Sequence, residues 1–354
     1  MTKTRDISDL YLMHGASLLF LVHEARRRGL DWKSGLPGIN IDSGNFPLLM
    51  PLADYVRFAG YLTELSGDPA FYFSSFINYE APENYEEPAM IVLHMPTLQH
   101  SYRLGVFAAN TYLNFVHIDI LYGRNMCCHT FYFPDKSGDM KKFLCENYVV
   151  NIYQILKYYT AGRGRFDRIE FPFSRPSWHD LITGYFDCPV QYVPGSPRVN
   201  IYIPSRYLEY TNPFSSRGQA SPLTLAYLVK KAHKEWRNAC FGGLSGRVNR
   251  EIWQRIREGG TPEIGDIAAA LDMHPRQLQR ELQEENSSFR QILGRVRLKR
   301  SLRLLLDEKF SLETVASSSG FDSPAGLHQF YRNLAGKTPL EIREEYTDTM
   351  PRAE

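Results

Sequence analysis

The spacing of apolar residues changes character along the chain. From Ser17 to Arg28, and again through "PLADYVRFAGYLTELSGDPAFYF", apolar positions return at helical intervals, which predicts two helices, the second burying Tyr55, Phe58, Ala59 and Leu62. A turn-rich stretch with Gly35, Pro37, Gly38, Gly44 and Pro47 separates them. After Met95 the segments shorten and become aromatic or β-branched. "TYLNFVHIDILY", "HTFYFP", "DRIEFPF", "PVQYV" and "VNIYIP" each predict a strand. Among them, "MKKFLCENYVVNIYQILKYYTA" places Leu144, Val149, Ile152, Ile155 and Leu156 on one stripe of a further helix. Residues 1–214 therefore read as one mixed domain with antiparallel strands rather than a βαβ series, within an α+β chain.

A Ser-, Pro- and Gly-rich hinge, "YTNPFSSRGQASP", leads into Ser221-Pro222 and a connecting helix, "LTLAYLVKKAHKEW", with Leu225, Leu228, Val229, Ala232 and Trp236 on one face. That face packs within its own domain or forms a dimer interface. Residues 215–244 are assigned as this linker, 245–345 as an all-α domain, and 346–354 as a flexible tail. The all-α domain opens with Val248, Ile252 and Ile256 at helical spacing, stopped by Gly259-Gly260. Thr261-Pro262 then predicts a cap and first turn for a helix burying Ile264, Ile267, Ala268 and Leu271. At Asp272 the chain must turn, and aspartate tolerates the left-handed conformation better than most residues. Met273 fills the angle, and Leu278 and Leu282 of the next helix face inward.

The same build returns near the end of the chain. Ser311 caps; Val315, Ala316, Gly320 and Phe321 stand where Ile267, Ala268, Asp272 and Met273 stood. After one extra residue, Leu327 and Tyr331 match Leu278 and Leu282. Two short helices joined by a tight turn make a helix-turn-helix, whose second helix can enter the DNA major groove. Between the copies runs "SSFRQILGRVRLKRSLRLLLDEKF", where Phe289, Ile292, Leu293, Val296 and Leu298 form an apolar face. Arg290, Arg295, Arg297, Lys299, Arg300 and Arg303 are basic, so a helix here would space the copies and lay cations beside phosphate.

Composition narrows the class without naming it. The chain has 354 residues, 43% of them hydrophobic, and a formal charge of +2, so a polyanionic partner must be argued from local clusters. Five cysteines, including adjacent Cys127-Cys128 beside His129, form no metal-ligand spacing and suit a reducing compartment; no metal site and no cofactor is expected. No G-x-G-x-x-G or Walker loop appears, which removes support for a nucleotide-binding enzyme. The apolar patch from Ala16 to Val22 is too short to span a bilayer and is closed by His23, Glu24 and Arg26 to Arg28, so we expect a cytoplasmic protein with no membrane partner.

The block from Val248 to Arg343 resembles the DNA-binding domain of the AraC/XylS family of bacterial transcription regulators. "LLLDEKFSLETVASSSGFDSPAGLHQFYRNLAGKTPLEIR" carries that family's Gly-Phe turn and its closing Gly-x-Thr-Pro motif at Gly336 to Pro339. The resemblance implies base contacts from Arg276, Gln279 and Arg280 in the first unit and from His328 and Gln329 in the second. His274, Arg295, Lys299, Ser323 and Arg332 are assigned to phosphate or positioning contacts. Leu327 and Tyr331 replace the usual phenylalanines and Gln329 a common arginine, so the second unit is expected mainly to position. More weakly, "DPAFYF", "MPTL" and "YFDCPVQYVPGSPRVNIYIPSRYLEYTNPF" resemble the arabinose-binding-like regulatory domain of a subgroup of this family.

Such a domain in the family senses a small molecule, dimerises, or both. Phe107, Tyr112, Phe115, His117 and Phe131 are the effector-binding candidates, although core packing explains any one of the aromatics better and a lone histidine near a strand is more often structural. The resemblance implies double-stranded DNA, a small organic effector, a second copy of the chain and RNA polymerase as partners, and an activator rather than an enzyme. Two alternatives stay open: a regulator whose first domain only dimerises or contacts proteins, and a DNA-tethered enzyme with acid and base drawn from Asp119, His117 and Asp135.

Overall fold

A computed structural model describes residues 11–14, 17–36, 49–79, 92–93, 95–113, 115–134, 138–213, 243–285, 287–307 and 309–348. The expected hinge from Phe214 onward, the connecting helix and the end of the tail lie outside the described residues, as do Asp135 and the side chain of Tyr112.

The amino-terminal domain begins with β1 (Leu12–His14), α1 (Leu18–Arg27), β2 (Leu49–Pro51), α2 (Leu52–Ser66) and α3 (Phe71–Ile77), with β1 and β2 antiparallel. The buried Glu24 carboxylate accepts from Arg27, Arg28 and Asn78, and Arg28 also reaches Asp68 at 2.7 Å, so one acid fastens α1 to the turn after α2 and the end of α3. Next come α4 (Leu98–Tyr112), β3 (His117–Tyr122), β4 (Met126–Tyr132), α5 (Gly138–Tyr159), β5 (Arg168–Phe171), α6 (His179–Phe186), β6 (Val190–Tyr192) and β7 (Arg198–Pro204). The larger sheet has the order β3-β4-β7-β5-β6.

The pairs of this sheet are antiparallel as expected except one: β5 and β6 run parallel, because α6 carries the chain back to the starting end, as a parallel pair requires. One expectation needs correction here. "TYLNFVHIDILY" is not one strand. Thr111 and Tyr112 end α4, whose first turn Thr97 caps by accepting from the His100 amide, and the strand starts only at His117. Leu98, Tyr102, Val106 and Ala109 recur at helical spacing, a signal outweighed by the aromatic and β-branched run that follows.

Strand alternation gives the larger sheet two unlike faces. Ile118, Phe131, Val199, Ile201 and Ile169 point into the aromatic core beneath the helices. The opposite face is polar: Thr130 bonds Asn200 at 3.1 Å, Asn200 donates to Glu170 at 2.9 Å, and Arg168 pairs with Glu170 at 3.3 Å.

The carboxy-terminal half is helical as expected: α7 (Gly243–Arg257), α8 (Ile264–Ala270), α9 (Pro275–Glu284), α10 (Phe289–Leu305), α11 (Leu312–Ser318), α12 (Pro324–Ala335) and α13 (Pro339–Asp348). Thr261 and Pro262 precede α8 rather than open it. Pro262 is buried, and Glu263 in extended conformation takes the cap position. The last helix also runs past the expected domain end, with Tyr346 only 6% exposed, so residues 346–348 belong to the fold rather than to a tail. Thr338 and Glu341 close a reciprocal capping box at its start, which is the physical content of the Gly-x-Thr-Pro motif.

Candidate nucleic-acid interface

The two helix-turn-helix units are copies in geometry as well as in sequence. In the first, the Met273 amide donates to Ala268 O at 2.9 Å and the Asp272 amide to Ala269 O at 3.1 Å; in the second, Phe321 donates to Ala316 O at 3.0 Å and Gly320 to Ser317 O at 3.2 Å. The residue at the turn has positive φ in both, 55° at Asp272 and 75° at Gly320. This is the Schellman pattern, which ends one helix and aims the next. A Cβ at Gly320 would stand 2.7 Å from Ile256 Cγ1, so glycine is needed there for space as well as conformation.

Each second helix opens the same way, with a side-chain cap and then proline. His274 Nδ1 accepts from the Arg276 amide at 3.3 Å, and Ser323 Oγ from the Gly326 amide at 3.4 Å. Leu278, Leu282, Leu327 and Tyr331 are fully buried and fix the rotation of α9 and α12 about their axes. Arg276, Gln279 and Arg280 are consequently exposed on α9, with Arg280 held only loosely by Glu284 at 3.9 Å. On α12, Gln329 and Arg332 are exposed and His328 partly so, while Gln329 is engaged with Asn333 at 2.8 Å. His274 and Ser323, assigned to positioning, sit at helix starts where their rings and hydroxyls serve the backbone.

Between the units α10 is divided. Ile292, Leu293 and Val296 enter the core of the first unit with Val248, Ile252 and Leu278; Leu298, Leu302 and Leu305 enter that of the second with Val315 and Leu327. Its basic run is divided too. Arg297 donates to Gly320 O at 3.1 Å and stacks on Phe321, and Arg300 donates to Ser318 O, so these two cations serve the second turn instead of lying beside phosphate. Burial lowers the pKa of both guanidinium groups from the ordinary arginine value. Arg295 and Lys299 are partly exposed, and Arg290 and Arg303 exposed.

The second unit also docks on the regulatory domain. Tyr346 donates to Asp119 and lies edge-on to Tyr132 and His117, while buried Arg198 donates to the carbonyls of Glu345 (3.1 Å) and Tyr346. Burial opposes the charge of Asp119, but hydrogen bonds from His117 (3.1 Å) and Tyr346 and the nearby Arg198 outweigh it and hold the carboxyl below its usual range. Thus His117 belongs to this junction. It faces away from Ile118, because adjacent strand residues point to opposite sides.

Inside the regulatory domain a cavity of about 240 Å³ lies between α4, α5 and the apolar sheet face. Phe115 and Phe131 line it. Phe107 does not: it is 61% exposed, because Gly105, Val106 and Ala109 supply the inward stripe of α4 and residue 107 falls on the opposite side. Sequence reasoning missed Asn147, Tyr148 and Asn151, the polar members of the wall, which stand among the apolar positions of α5.

Duplicated helix-turn-helix units joined to a mixed α/β amino-terminal domain define a class of two-unit DNA-binding proteins. Comparison with known families agrees. Residues 34–212, just over half of the chain, match the arabinose-binding domain of AraC transcription regulator, and residues 267–345 match a helix-turn-helix domain. The chain belongs to the family of AraC-type regulators that carry this amino-terminal domain.

It is 38% identical over 81 residues to the HTH-type transcriptional regulator GadX of Escherichia coli (strain K12), a match covering 23% of this chain and 30% of that protein. It is 31% identical over 106 residues, 30% of each chain, to the uncharacterized HTH-type transcriptional regulator Rv1395 of Mycobacterium tuberculosis. The chain thus spans about a third of the length of the curated relatives it matches. A crystal structure of the transcriptional regulator CdpR from Pseudomonas aeruginosa aligns over 94% of this chain and 99% of its own, at 17% identity and a TM-score of 0.44.

Proposed function

We propose that this protein is a sequence-specific DNA-binding transcription regulator, an activator controlled by a small organic effector. The observation that carries the reading is the pair of identical turns, each presenting a helix with polar side chains outward and leucine or tyrosine locked inward. In this reading α9 contacts base edges through Arg276, Gln279 and Arg280, and α12 contributes His328 and Gln329. Gln329 is already engaged, which supports a positioning role for α12. Arg295, Lys299 and Arg332 neutralise phosphate. Two copies of the chain act together on DNA, since few exposed cations per unit leave modest affinity to one copy. Activation proceeds through contact with RNA polymerase, and the protein works in the cytoplasm; no described helix is long and apolar enough to cross a membrane.

The test begins with selection of bound duplexes from a random DNA pool. A titration of the selected site should then show Arg280→Ala losing roughly 1–3 kcal/mol, the worth of one bidentate base contact, and relaxing preference at one position. Unchanged affinity and preference would remove α9 from the reading.

A further inference from the structure

The wall of the cavity restricts what it can hold. Val106 and Ala109 of α4, Ile152 and Ile155 of α5, and Ile118 and Phe131 of the sheet supply an apolar lining. Polar atoms come from one element: Asn147, Tyr148 and Asn151 of α5. Asn151 donates to Asn147 Oδ1 at 2.9 Å, and the Tyr148 hydroxyl meets His129 Nδ1 at 3.2 Å. Burial holds His129 down at about 3, so the imidazole behind Tyr148 is neutral at physiological pH. Among the described residues, none that lines the cavity is a lysine, arginine, aspartate or glutamate.

A charge seated among these lining residues would leave water without a counter-charge from any of them, which costs several kcal/mol. A sugar fares little better. It carries a hydroxyl on nearly every carbon, and each one left unbonded in an apolar site costs about 1–3 kcal/mol. An apolar ring has no such cost. A cavity of about 150 Å³ lined by Leu, Ile and Phe is known to admit benzene, so the larger space here accommodates a substituted ring or a short branched chain.

We propose that this cavity is the effector site and that its ligand is a neutral, largely apolar organic molecule, with one hydrogen-bonding group directed at Asn147 and Asn151. It is not a sugar, in spite of the name its domain family carries. The proposal rests on the effector-controlled reading above and adds the location and chemical class of the ligand.

The experiment uses the full-length protein and the neutral dye N-phenyl-1-naphthylamine, whose fluorescence rises when it leaves water. Indole, benzoate and L-arabinose then compete for it. Saturable dye binding that indole reverses and the other two do not, weakened at least tenfold by Ala109→Trp, is the expected result. Val106→Phe fills the same space with a smaller ring and serves if the tryptophan disturbs folding, which the unfolding midpoint reports. Equal dye binding by wild type and both filled variants would place the dye elsewhere and overturn the site. Competition by arabinose or benzoate as strong as that by indole would overturn the ligand class while leaving effector control intact. Indole binding that leaves affinity for the selected DNA unchanged would overturn effector control and leave the site and class standing.

Discussion

Asp272 holds a left-handed backbone with a side chain, and Gly320 holds the same backbone without one. That conformation costs an ordinary L-residue roughly 1–2 kcal/mol, and aspartate somewhat less. Asp272→Gly should therefore raise the denaturant midpoint by up to about 1 kcal/mol of stability. Gly320→Ala should lower it by about 1–3 kcal/mol, since its methyl group must also displace Ile256. Glu146 makes a second prediction at this scale. It is fully buried, and burial pushes its carboxyl up to about 8 against the partial relief of Lys142 and the Trp178 indole, which donates at 3.3 Å. Above the ordinary glutamate range, near 4.3, the unfolded chain has released this proton while the native chain keeps it until about 8. Native stability therefore falls as pH rises through that window. Glu146→Gln cannot ionise and keeps an acceptor for Trp178, so chemical denaturation should show its stability relative to wild type increasing from pH 4.5 to 8. A constant difference would remove the ionisation from the account. Both positions show the limit of reading residues one at a time: the turn at Asp272 was legible, because residue type alone restricts φ, whereas nothing in "LCENYVV" marks Glu146 as buried.

Elements were legible where period and cap agreed. The second unit satisfies both, with buried Leu327 and Tyr331 at the expected phase and Ser311 accepting from the Thr314 amide; in the first, Leu278 and Leu282 keep the phase but the cap falls at Glu263 instead of Thr261. Helices α4 and α6 escaped notice because aromatic, strand-favouring residues share their segments, and the parallel β5–β6 pair depends on neighbours that local sequence does not contain. The basic helix α10 is the instructive case, since identical residue types on it do different work. Arg297→Ala should cost about 1.5–3 kcal/mol of stability, the worth of hydrogen bonds from a charged group to the carbonyl of Gly320, with the salt dependence of DNA binding unchanged. Lys299→Ala should do the converse, reducing the salt slope by about one while unfolding like wild type. A salt slope altered by the Arg297 variant would return that residue to the phosphate contacts.

At the scale of the molecule, the junction between regulatory and DNA-binding halves was invisible in the sequence, because Tyr346 and Asp119 stand 227 positions apart. Single Asp119→Asn and Tyr346→Phe variants and their double should give a coupling energy of about 0.5–3 kcal/mol in stability; additivity would mean that the two groups do not act as a pair. Because the Asp119 carboxyl sits below its usual range, its stabilising contribution is present at neutral pH and is lost as the pH falls through its native value. The cavity and this junction lie on opposite faces of one sheet, with Ile118 and Phe131 on one side and Asp119 and Tyr132 on the other. The division of α10 then acquires a meaning. The apolar core of the regulatory domain continues into the second unit and stops between Val296 and Leu298, so the first unit has its own core and meets the second along α10 and where Ile256 packs under the Gly320 turn. A displacement at the sheet reaches the second unit directly and the first through α10 and the Ile256–Gly320 contact. Were the proposed effector to shift that seam, the angular phase between the two units along the duplex would change, and with it the spacing of DNA contacts that fits.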